Sequence, residues 1–121
     1  FTLAHELGHR ELHKDLYLGR QFRTTDEWKA FQQSIQDIVY GRMEWQAYEF
    51  GGLILVPTMP LKRACQEARG RVHEQVKQSG IEVESGVIDY LIVGQVAGIF
   101  AVSKDVIRYR LKAEAKKLAR R

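Results

Sequence analysis

The sequence predicts a mainly α protein, on three observations. His5-Glu6-Leu7-Gly8-His9 sets two imidazoles four residues apart, a spacing that brings both to one face when the stretch is helical. Apolar residues then recur every three or four positions, as Trp28, Phe31 and Ile35 and again as Leu61, Ala64, Ala68, Val72 and Val76. The end of the chain divides into two amphipathic helices around a turn at Ala101-Val102. With 121 residues, 45% of them hydrophobic, the chain makes one small domain, or one and a half, with ample material for a core.

The first helix carries the chemistry. His5 and His9 each offer an imidazole nitrogen to the same ion, which is the H-E-x-x-H zinc arrangement. Glu6 follows the first ligand directly and so points to the side of the metal, where a carboxylate can take a proton from water that zinc has made acidic. Phe1, Leu3, Ala4, Leu7 and Leu12 supply apolar surface that would bury this helix. Two ligands do not complete a catalytic site, because zinc hydrolases use three protein ligands and keep a fourth position for water. The metzincin continuation is closed, since Leu12 and Asp15 stand where its Gly and third His would be. His13 lies on roughly the same face but about 12 Å along the helix from His5, too far for the same ion. It reads as a residue behind the ligands, as cleft wall or as ordinary surface. The third ligand then falls to a carboxylate from another helix, and Glu44, in Met43-Glu44-Trp45-Gln46-Ala47-Tyr48-Glu49-Phe50, is the best placed.

Lys14 to Arg23 reads as a loop containing Gly19, after which Thr24 and Glu27 form a capping box that opens a short helix. The helical pattern falters from Asp37 to Arg42, with Gly41 as the breaker, and a new helix starts near Met43 and runs to a stop at Pro57. In that helix Ala47 and Gly51 make a strip of small residues on the Glu44 side, which would let it approach the metal helix closely. Plain helix packing would use the same strip. Pro60 begins the next helix and Ser79-Gly80 ends it. Within it His73-Glu74 resembles a second metal motif, but Lys77 occupies the place of the second His, so it is assigned no metal role. A helix from about Ser85 to Phe100 follows, and then one capped by Ser103 that carries Val106, Ile107, Arg108, Arg110 and Leu111. Ala97, Ala101 and Ile107 have the spacing of a helix-turn-helix, a pattern that packing alone also produces.

The formal net charge of +4 is unevenly spread, because residues 100–121 hold eight Lys or Arg against two acids. Such a cluster suits nucleic acid, although a solvated helix face is its commoner origin. Arg108, Lys112 and Lys116 form one stripe while Arg110 and Lys117 lie on another side, and Asp105 near the helix start would repel phosphate. DNA binding is therefore expected to be weak or absent. No apolar run approaches membrane-spanning length and the sequence shows no signal peptide, so no membrane association is expected. A single cysteine, Cys65, excludes an intramolecular disulfide and fits a reducing, cytoplasmic setting. The chain opens without Met just ahead of the His5 helix, and is expected to be a fragment whose upstream part, including any strands, is missing.

Three blocks carry a resemblance to a known family. Phe1-Thr2-Leu3-Ala4-His5-Glu6-Leu7-Gly8-His9, the stretch from Glu44 through Ala47 and Phe50 to Pro57, and Phe100-Ala101-Val102-Ser103 with Arg110-Leu111 are similar to the ImmA/IrrE zinc metallo-endopeptidases. The first two blocks together are specific, and the third is common elsewhere. The resemblance implies a zincin-like fold of which this is the helical portion, with Zn2+ held by His5, His9 and Glu44 and with Glu6 as the catalytic carboxylate. It implies a core over residues 1–80 followed by a helix-turn-helix-like segment over 81–121. Its biology implies cleavage of a helix-turn-helix repressor protein, in bacterial stress responses or mobile elements. The chain departs from the family at Tyr48, where Asn is frequent, and at Gly51, where Ala is frequent. The competing expectation is a non-enzymatic regulator that binds DNA or a protein, with a structural or vestigial zinc site.

Overall fold

The computed structural model describes residues 1–120, and these hold six helices and no strand: α1 Thr2–Tyr17, α2 Thr25–Ser34, α3 Asp37–Leu55, α4 Thr58–Ser79, α5 Ser85–Phe100 and α6 Lys104–Ala119. The mainly α expectation holds. Two boundaries move. α1 runs on through Tyr17, where a loop from Lys14 was expected, and Gly19 then turns the chain with a φ of 77°. α3 begins at Asp37 instead of near Met43, so Gly41 lies inside a helix. A helical Gly costs only about 1 kcal/mol relative to Ala. The face carrying Met43, Ala47 and Gly51, all buried, outweighs that cost.

The caps fall where the residues put them. Thr24 Oγ1 accepts from the Glu27 N–H at 3.2 Å, while the Glu27 carboxylate accepts from the N–H of Arg23 at 2.7 Å, one residue before the usual capping-box partner. α4 starts at Thr58, two residues ahead of Pro60, and Pro60 fits in a first turn whose N–H groups have no intrahelical acceptor. Gly80 ends α4 with a φ of 67°. Ser103 caps α6 through the Val106 N–H, and Ala101, with a φ of 52°, makes the turn between α5 and α6, which meet at a bend of 104°.

The helices form two compact units, Thr2–Gly51 and the segment from Gly52 onward, the division falling within α3. This packing division differs in place from the partition at residue 80 expected on functional grounds. From Gly52 onward, α4, α5 and α6 close around Leu61, Ala68, Val72, Ile92, Val96, Val106 and Ile107. Arg110 is fully buried beside that core. Its Nε donates to Val56 O at 3.0 Å, and its Nη2 donates to Thr58 Oγ1 at 3.1 Å and to Glu114 Oε1 at 2.9 Å. The guanidinium thus satisfies a carbonyl at the end of α3 that has no intrahelical partner. Arg110 is withdrawn from the basic surface on which it was expected, and Arg108 pairs with Asp105 at 2.9 Å. Burial works to raise the Glu114 pKa, but hydrogen bonds from Arg110 and Thr58 and the charges of Lys117 and Arg110 outweigh it and bring it below the usual value.

In the Thr2–Gly51 unit, α1 packs through its smallest side chains. A Cβ on Gly8 would lie 2.9 Å from Ala47 Cα and from Ala47 O, and one on Gly51 would lie 3.1 Å from Ala4 C and His5 N. The Ala47 and Gly51 strip therefore brings α3 against α1 backbone to backbone. The larger apolar side chains expected to bury α1 do not do so, since Leu3 is 84% exposed and Leu12 50%. Ala4, Gly8 and His13 are its buried residues, because only small groups and the His13 ring fit so near an approach. Among the described residues, no single helix is long and apolar enough to cross a membrane.

Candidate metal centre

The backbone contact of α1 with α3 places the three expected ligands together. His5 Nε2 lies 3.2 Å from Glu44 Oε2, His9 Nε2 lies 3.0 Å from Glu44 Oε1, and the two Nε2 atoms are 3.1 Å apart. Three electron-pair donors converge here, as a cation requires. Donors around a tetrahedral zinc, with bonds of roughly 2.0–2.1 Å, sit about 3.3 Å from one another, close to the spacings found. His5, His9 and Glu44 form the one group of this kind among the described residues. The donor set fits a divalent metal of intermediate softness. The His5 and His9 rings meet edge to face with centroids 4.8 Å apart, and Tyr48 packs its ring on His5 at 6.1 Å. Tyr48, the departure from the family pattern, thus supports a ligand by ring contact.

Glu6 is exposed and lines a cleft of about 460 Å³ together with His9 and Glu44. The same wall includes Tyr17, Phe22, Trp28 and Tyr40, with Arg10 and Arg20. Phe22 and Trp28 meet edge to face at 5.1 Å, Tyr17 lies 5.6 Å from Trp28, and Arg20 sits over the Phe31 ring at 4.3 Å. Burial raises the Tyr17 pKa first, with the charges of Glu44 and Glu6 adding to it. The Glu44 charge raises that of Tyr40, helped by burial and a hydrogen bond with Glu44. Both phenols therefore stay protonated through neutral pH and keep an O–H to donate.

The sequence singled out His5, Glu6, His9 and Glu44; the structure gathers His5, His9 and Glu44 into one group, and Glu6 lines a cleft together with His9 and Glu44. It left His13 open. That ring is buried, with Nδ1 3.1 Å from His9 Nδ1 and Nε2 3.0 Å from Gln46 Oε1. Tyr17, Phe22 and Tyr40 were missed, because they fall in stretches read as loop or broken helix. One signal was present: His5, His9, His13 and Tyr17 recur every four residues, so the ligand face of α1 continues to Tyr17. His73 forms no such cluster, and its Nδ1 lies 2.8 Å from Arg69 O within α4.

Fold and site together define a helical H-E-x-x-H domain with a Glu supplied from a second helix. Over residues 1–112 the chain matches the model of the IrrE N-terminal-like domain, peptidase family M78, and it belongs to that family. Membership points to a metallopeptidase-type function. No curated protein and no solved structure matches the chain.

Proposed function

We propose that this chain carries the metal centre of a zinc-dependent endopeptidase that hydrolyses peptide bonds in a protein substrate. The observation that supports it most is the convergence of His5, His9 and Glu44, with the exposed carboxylate of Glu6 in the cleft that His9 and Glu44 also line. Two imidazoles and one carboxylate are a donor set of zinc peptidases. Zinc, when bound, supplies Lewis acidity that makes water nucleophilic near neutral pH. Glu6 takes the proton from the attacking water and passes it to the departing amine nitrogen as the C–N bond breaks. The phenol of Tyr17, in the same cleft, is a donor for the carbonyl oxygen as it gains charge.

The substrate we infer is a helix-turn-helix repressor protein, in line with the ImmA/IrrE resemblance, and the setting is a cytoplasmic stress response or mobile element. On this reading residues 1–80 serve the chemistry, and residues 81–121 form a helix-turn-helix-like segment that recognises a partner protein. Glu6→Gln in the full chain should keep its zinc and lose proteolysis, because an amide cannot accept the proton. Cleavage at the wild-type rate would remove Glu6 from its role.

One observation favours the regulator alternative: the 104° bend between α5 and α6 lies within the range of helix-turn-helix pairs. Against it, Arg110 is buried and Arg108 is paired with Asp105, which leaves fewer cations for phosphate. DNA binding should be weak, salt-sensitive and indifferent to sequence. Titration of labelled duplexes at two salt concentrations separates the readings, since tight binding that survives high salt and prefers one sequence would promote the regulator.

A further inference from the structure

Behind the cluster runs a chain of hydrogen bonds with a definite direction. Gln46 Oε1 is a carbonyl oxygen and only accepts, so the 3.0 Å contact puts a proton on His13 Nε2. A neutral imidazole holds one proton, which leaves His13 Nδ1 as a lone pair. The 3.1 Å contact between His13 Nδ1 and His9 Nδ1 then requires the proton on the His9 side. A cation seated between His9 Nε2 and Glu44 Oε1, which lie 3.0 Å apart, takes the Nε2 lone pair, and the ring proton then sits on Nδ1, where His13 accepts it. A His13 buried for packing alone would need no ring nitrogen aimed at His9. Here both of its nitrogens are engaged, and the ring is 7% exposed.

We infer that His13, anchored by Gln46, is a positioning residue that fixes His9 in its Nδ1–H tautomer and holds its Nε2 ready as a metal ligand. The inference rests on the metal-centre reading above. Carboxylates and backbone carbonyls are the usual acceptors behind a metal-bound His. In this chain a second histidine does that work, and α3 supplies both the ligand Glu44 and the anchor Gln46. The arrangement also accounts for the burial of His13 two turns beyond His5.

The test uses the full chain and two readouts, zinc affinity in competition with a chromophoric chelator and the rate at which the His9 Nδ1–H of the zinc-loaded chain exchanges with water, read from its ¹⁵N-resolved proton signal. His13→Phe keeps a ring but offers no acceptor, and should weaken zinc binding about 10–100-fold and speed exchange of the His9 Nδ1–H. His13→Asn, whose side-chain oxygen can accept from His9 Nδ1–H, should recover most of the affinity and the slow exchange. Gln46→Leu leaves His13 in place, and should speed that exchange and weaken zinc less than His13→Phe does. Should His13→Phe not fold, Gln46→Leu decides alone. Wild-type affinity together with unchanged exchange of the His9 Nδ1–H in either folded variant would overturn the inference. A wild-type chain that binds no zinc would instead overturn the metal-centre reading, and the role of His13 toward a metal with it.

Discussion

The two units of the chain bury different things. From Gly52 onward three helices close around Leu61, Val72, Ile92, Val96 and Ile107. The Thr2–Gly51 unit buries Ala4, Gly8, His13, Met43, Ala47 and Gly51. Apolar burial stabilises by about 25 cal/mol per Å², and Ala and Gly have little area to bury. The later unit therefore stands on side-chain volume, while the earlier one is specified by how closely two backbones approach. In the first case a lost methylene costs stability. In the second an added methyl costs geometry, and that geometry is what brings His5, His9 and Glu44 together.

Substitutions that change volume in opposite directions should pull the two units apart. Leu61→Ala should lower unfolding stability by about 2–5 kcal/mol, the range for emptied aliphatic core positions. Urea denaturation measures that loss, and zinc affinity per folded molecule should not change. Gly8→Ala should cost about 1–3 kcal/mol through overpacking, because the new Cβ meets backbone atoms of Ala47 that cannot swing aside. It should also weaken zinc binding, since α3 carries Glu44. Unchanged affinity in Gly8→Ala would mean that the helix contact does not set the site. Gly51→Ala, at 3.1 Å, should act in the same sense and less. At Gly70, in the middle of α4, a Cβ meets nothing within 4 Å, so Ala there should stabilise by about 0.5–1 kcal/mol.

Acid should distinguish the units more gently. The Glu114 pKa is depressed in the folded chain, chiefly by the hydrogen bonds of Arg110 and Thr58, against the opposing effect of burial. A depressed carboxylate contributes stability that is present above its unfolded pKa of about 4.3 and is lost as pH falls through the lower folded value. The urea midpoint of the unit from Gly52 onward should therefore fall as pH drops below about 5. Glu114→Gln should flatten that slope, and an unaltered slope would show that the Arg110 network is not what acid breaks.

Much of this division was legible in the sequence, and the remainder was hidden for physical reasons. The His5, His9 and Glu44 group could be picked out because helical spacing and metal chemistry each restrict it, and Ala47 with Gly51 marked the strip along which α3 approaches. The α4, α5 and α6 pattern could be read because aliphatic residues repeat and Ser103 and Gly80 punctuate it. Gly41 misled because propensity is local, whereas the buried face that carries α3 through it is not. Leu3 and Leu12 misled because an apolar side chain does not announce whether a neighbour has room for it. Arg110 could not be separated from the other basic residues of α6, since two of its three acceptors, Val56 O and Thr58 Oγ1, lie more than fifty positions away.

The central claim is that α1 and α3 together build one metal centre, with Glu44 as the ligand that α3 supplies. Its most direct test is zinc retained after dialysis by the wild-type chain, Glu44→Ala and Glu49→Ala. The account predicts one zinc in the wild type, loss of most of it in Glu44→Ala, and retention in Glu49→Ala. Full zinc in Glu44→Ala, with loss in Glu49→Ala, would contradict it.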